Sequence, residues 1–76
     1  MQPGTLVRNY LNLPMFSDPV NTAIPPIIPD VPALSRGIVL EEKRTGNYKW
    51  VRWLVNGHVG WSNADYVMKV GNDSRW

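Results

Sequence analysis

Residues 48–67 read Tyr48-Lys49-Trp50-Val51-Arg52-Trp53-Leu54-Val55-Asn56-Gly57-His58-Val59-Gly60-Trp61-Ser62-Asn63-Ala64-Asp65-Tyr66-Val67. Tyr48 to Val55 is dense in β-branched and aromatic side chains and forms a strand by composition. Asn56-Gly57 closes it, because a two-residue hairpin turn needs positive φ at both positions and this pair reaches it at least cost. Val59 to Ser62 is then the return strand. Asn63-Ala64-Asp65 fits one tight helical turn, and Tyr66 to Val70 a last strand. Side chains alternate along a strand, so Val51, Trp53 and Val55 share one side and Tyr48, Trp50, Arg52 and Leu54 the other. The first side suits a core. The second puts three large apolar residues beside an arginine.

Upstream, Gly37-Ile38-Val39-Leu40-Glu41-Glu42 is a β-branched run of strand length, and Lys43 to Asn47 is a polar turn. Gly4 to Arg8 is a short strand entered through Pro3-Gly4. No segment keeps a 3.6-residue period, so no long helix is expected. Five short strands in so small a chain leave edges unpaired unless they close, which predicts an all-β, five-stranded barrel. Between the first and second of these strands lie residues 9–35, with Pro14, Pro19, Pro25, Pro26, Pro29 and Pro32. Proline lacks the ladder donor and breaks helices, so this insertion is expected to be extended or polyproline-like. The chain is thus read as one domain over 1–76: barrel at 3–8 and 36–70, Pro-rich arm at 9–35, tail at 71–76.

Seventy-six residues suffice for one small core, which buries only about 60% of the unfolded chain's surface. There is no cysteine, so neither a disulfide framework nor a thiolate metal site is available. The formal net charge of +2 is too small to indicate nucleic-acid binding by itself. It is also unevenly spread. Residues 1–35 hold Arg8, Asp18 and Asp30, while residues 36–76 hold seven basic and four acidic side chains. One histidine, His58, follows the hairpin turn without an acidic or nucleophilic partner at a telling spacing, and reads as a turn residue. No phosphate loop or nucleophile motif occurs. No apolar run approaches the length of a membrane span or a signal peptide. We therefore expect no enzyme activity, no cofactor, no metal, no small-molecule substrate and no membrane insertion.

The run from Tyr48 to Val67 resembles the second half of an SH3-type barrel: a Gly-containing hairpin, a Gly-aromatic pair, one helical turn, then Tyr-aliphatic. With Pro3-Gly4-Thr5-Leu6-Val7-Arg8 and Gly37-Ile38-Val39-Leu40-Glu41, it is similar to small SH3-like proteins of tailed bacteriophages, including those of cyanobacteria. The resemblance implies a five-stranded SH3-like barrel with a long Pro-rich insertion after the first strand. Signalling members bind Pro-rich ligands with a Trp, a Pro and a Tyr. The matching positions here are Tyr48, Asn63 and Tyr66, and only Tyr66 keeps the family's residue type. Ser62 stands where the family places an aliphatic core residue.

Two surfaces are expected to bind a partner. One is the outward row of the Tyr48–Val55 strand, with Tyr48, Trp50 and Arg52, joined by Tyr66. The first expectation for that row is that the arm folds back to cover it. The second is that it stays bare, arginine among exposed aromatics being the usual make-up of a protein hot spot. The other is the arm, with Ile24, Pro26, Ile27, Ile28, Pro29, Val31 and Leu34, stiff and too apolar for a solvated linker. It packs either on its own barrel or on a neighbouring molecule, and the neighbour is favoured because the barrel half has few spare apolar residues. The leading expectation is a virion decoration (cement) protein that docks on a viral coat or similar assembly through the arm. A module binding a host protein in the host cytoplasm is the alternative. Nucleic-acid binding through Lys43, Arg44, Lys49 and Arg52 is the third.

Overall fold

The computed structural model describes residues 2–18 and 25–70. Seven strands run in chain order: β1 Leu6–Asn9, β2 Leu13–Met15, β3 Ile28–Val31, β4 Arg36–Thr45, β5 Tyr48–Val55, β6 His58–Asn63 and β7 Val67–Lys69. A 3-10 turn, Ala64–Tyr66, joins β6 to β7. The protein is all-β, in two antiparallel sheets. One has the order β6-β5-β4-β1-β7, and the other is the hairpin β2-β3. Among the described residues β6 and β7 share no ladder, so the closure expected for the five strands is absent from the pairing.

The turns follow the sequence. Asn56 and Gly57 sit at φ 53° and 80°, which sets Val55 opposite His58 and Leu54 opposite Val59. Asn63 caps the 3-10 turn, its Oδ1 accepting from the Asp65 N–H at 2.9 Å. β4 is longer than expected. It continues through Lys43-Arg44-Thr45 to a two-residue turn at Gly46-Asn47, with a bulge between Val39 and Glu41.

The core forms on one face. Val7, Val39, Val51, Trp53 and Val55 are buried, with Val67 and Ala64 closing one end. Gly37 is needed here, because a Cβ at that position would stand 2.5 Å from the Leu54 carbonyl oxygen.

The arm departs from expectation. Residues 13–15 and 28–31 are strands, and Leu13, Met15 and Val31 belong to the same core, with Ile28 packed against it. Proline in a sheet is accommodated where no ladder donor is missed. Pro14 offers only its carbonyl, which accepts from the Ser62 hydroxyl at 3.0 Å. That hydroxyl in turn accepts from the Trp53 indole N–H at 3.0 Å. Ser62 is therefore buried with its hydroxyl satisfied, serving both the core tryptophan and the hairpin as a hydrogen-bond partner. Phe16 and Trp61 exchange backbone hydrogen bonds at 2.7 Å each, extending β6 onto the hairpin. Gly60 leaves the space that Met15 fills; a Cβ there would collide with Met15 Cγ.

Asn9 fixes both ends of the arm. Fully buried, it donates from Nδ2 to the carbonyls of Leu11 (2.9 Å), Val31 (3.1 Å) and Pro32 (3.0 Å). Its Oδ1 accepts from the Ser35 N–H at 3.0 Å, and its own carbonyl accepts from the Leu34 N–H at 2.8 Å.

Candidate protein-docking face

Pairing register fixes which side chains share the solvent side of the large sheet. Val7, Val39, Trp53 and Val55 point inward, so the residues between or beside them on β1, β4 and β5 point out. Leu6 pairs with Ile38, Ile38 with Leu54, and Leu54 with Val59. One aliphatic row therefore crosses four adjacent strands. Val70, just past the end of β7, continues it beside Leu6, its N–H donating to the Leu6 carbonyl at 2.9 Å. Leu6, Leu54 and Val59 are 55%, 39% and 43% exposed, and Ile38 is half-buried. Leu40, at the β4 bulge, is exposed beside the row.

The next rows on this side are of different character. Glu41 pairs with Arg52 and Arg52 with Trp61, and Arg52 Nε lies 3.0 Å from Glu41 Oε1. Beyond them Trp50 pairs with both Lys43 and Asn63. Trp50 has the outward parity read from the sequence, but it is not available to a partner. It is only 8% exposed, with Phe16 edge-on at 6.1 Å and its indole N–H on Thr45 Oγ1 at 2.9 Å. The hairpin that brings Phe16 is what covers it.

The other expected binding residues divide as sharply. Val31 is core and has no surface to offer; Ile28 and Pro26 are partly buried. Ile27, Pro29 and Leu34 are exposed, and Ile24 lies outside the described residues. Tyr48 is exposed next to the Gly46-Asn47 turn. Tyr66 makes an edge-on pair with Tyr10 at 6.4 Å, and the Tyr10 hydroxyl donates to the Asp65 carbonyl. The four basic residues of the nucleic-acid reading are split. Arg44 faces Lys49 on one side of the β4-β5 ladder, whereas Lys43 and Arg52 lie on the other. His58 is exposed at the start of β6.

Leu34 adopts φ 67° and is 63% exposed. A non-glycine residue in this region costs about 1–2 kcal/mol, and a glycine's extra chain entropy takes back about 0.5–1 kcal/mol. Leu34→Gly is therefore expected to raise stability by about 0.5–1 kcal/mol, read by urea unfolding. A loss of stability would mean that the leucine side chain packs against the fold.

Among the described residues, no three His, Asp or Glu side chains are placed to hold a metal ion, and no helix is long and apolar enough to cross a membrane. The chain was compared with protein-family models, with curated proteins and with solved structures. Nothing matches.

Proposed function

We propose that this protein is a non-enzymatic docking subunit that seats on another protein through the outer face of its large sheet. The observation that carries the proposal is the row Leu6, Ile38, Leu54 and Val59. Single exposed aliphatics are ordinary, but a contiguous strip across neighbouring strands is the kind of surface that marks an interaction site. An SH3-like barrel is the finer architecture we infer. The order β6-β5-β4-β1-β7 supports it, as do the 3-10 turn before the last strand and a hairpin inserted after the first. The specific role we put forward is decoration of a repetitive protein assembly such as a virus shell. The arm is not the clamp in this proposal. Its described residues supply part of the core and Phe16, and the aliphatic row keeps Leu6, Leu54 and Val59 exposed.

The test is density-gradient sedimentation of tagged full-length protein expressed in its native source. Migration with a large protein assembly, retained at high salt, is the expected result. Migration as a free small protein would overturn the reading.

A further inference from the structure

The aliphatic row has charged residues on both sides, and the two borders differ in how the charges are arranged. Two residues along the ladder from Leu6 and Ile38, Arg8 sits directly opposite Arg36 on the same outer side. Like charges placed opposite each other on a sheet repel and destabilise the pairing. Neither arginine makes an ion pair among the described residues. In the row adjacent on the other side the charges offset each other, Arg52 Nε lying 3.0 Å from Glu41 Oε1. Among the described residues the face is therefore an apolar strip with a cationic edge at Arg8 and Arg36 that no carboxylate offsets. We propose, resting on the docking reading above, that the partner is a different protein whose surface presents aliphatic side chains bordered by carboxylates, which take Arg8 and Arg36. A second copy of this chain is disfavoured as occupant. The carboxylate it would bring beside the row is Glu41, and that one is engaged by its own Arg52.

Complementary charge at the rim of an interface selects the partner and sets encounter. The experiment titrates isotope-labelled full-length protein, followed by amide chemical shifts, with a soluble decapeptide alternating valine and glutamate. Its valine–lysine counterpart is titrated in parallel. Saturable shifts at Leu6, Arg8, Arg36, Ile38 and Leu54 with the glutamate peptide are expected. The lysine peptide should bind at least threefold more weakly. In Arg8→Gln/Arg36→Gln the glutamate peptide should weaken about three- to tenfold, the scale of two exposed ion pairs. The melting temperature of that variant should hold or rise, since a repulsive pair has gone.

Equal binding of both peptides along the row would overturn the carboxylate preference while leaving a docking face in place. Absence of shifts along the row with either peptide would overturn this inference, and the docking reading would then stand or fall on the sedimentation result. Concentration-dependent dimerisation through the row would make a second copy the occupant and overturn it. So would binding of a 12-mer DNA duplex at Arg8 and Arg36 with a steep salt dependence.

Discussion

Asn9→Ala is expected to cost about 2–4 kcal/mol, a large share of the protein's stability, because the change removes the donor from two buried or part-buried carbonyls and the side chain that ties both ends of the arm together. The carbonyls of Leu11 and Val31 lose the Asn9 donor, while the Pro32 carbonyl keeps the Ser35 hydroxyl at 2.6 Å and the Ser35 N–H keeps the Pro32 carbonyl at 3.2 Å. A chain of this size has a total of only about 4–11 kcal/mol. A melting temperature lower by about 15–25 °C follows from the scaling for small domains. Asn9→Asp should be worse at neutral pH, since a carboxylate would point at carbonyl oxygens with no donor to give them. Asn12 is the control. It accepts from the Ala33 N–H at 2.8 Å but in an exposed setting, so Asn12→Ala should cost no more than about 1 kcal/mol. If thermal melts put the two alanine variants close together, Asn9 is not the clamp that holds the arm.

Leu54→Asp is expected to do the reverse, leaving the fold and abolishing the function. Its side chain is on the outer face with Ile38 and Val59 as neighbours, so the melting temperature should move by only a few degrees. A carboxylate in the middle of a docked apolar strip must be desolvated without a partner. A central position of this kind is worth about 2–4 kcal/mol, a weakening of roughly thirty- to a thousandfold. Sedimentation with the assembly should disappear in Leu54→Asp and persist in Tyr48→Ser, which changes an exposed aromatic away from the row. Equal loss in both, or in neither, would contradict the assignment of the site.

Much of the large sheet is legible in the sequence because its signals are local. The β5 strand, the Asn56-Gly57 turn and the helical turn after Asn63 each depend on a few adjacent residues. A two-residue turn at Asn56-Gly57 also dictates, by geometry alone, that Leu54 stands opposite Val59. The hairpin β2-β3 is not legible. Its strands are three and four residues long and contain Pro14 and Pro29, and period-two burial over Leu13 and Met15 is too short to rise above the prolines. The expectation that the arm needs a neighbour follows from counting apolar residues against a five-stranded body. That count omits the hairpin as part of the body.

Two further features are hidden for different reasons. Asn9 reads as a loop residue, yet it continues the inward alternation begun at Val7. That parity is the available sign of burial. Gly60, in mid-strand, is a second sign, since a glycine there marks the close approach of another segment, here Met15. The aliphatic row itself is half visible. Strand alternation puts Leu54 on the outer side, but the Leu6–Ile38 and Ile38–Leu54 pairings depend on strand neighbours distant in the chain.

The central claim is that the arm belongs to the protein's own core and that the outer aliphatic row meets the partner. The chain has no cysteine, so single introduced thiols report local exposure without background. Maleimide labelling of Val31→Cys, Leu34→Cys and Leu54→Cys, free and then in the native assembly, tests the claim most directly. The account predicts that position 31 is protected in both states, position 34 reacts in both, and position 54 reacts in the free protein and is protected in the assembly. Rapid labelling at 31 in the free protein, or protection in the assembly at 34 with 54 still reactive, would contradict it.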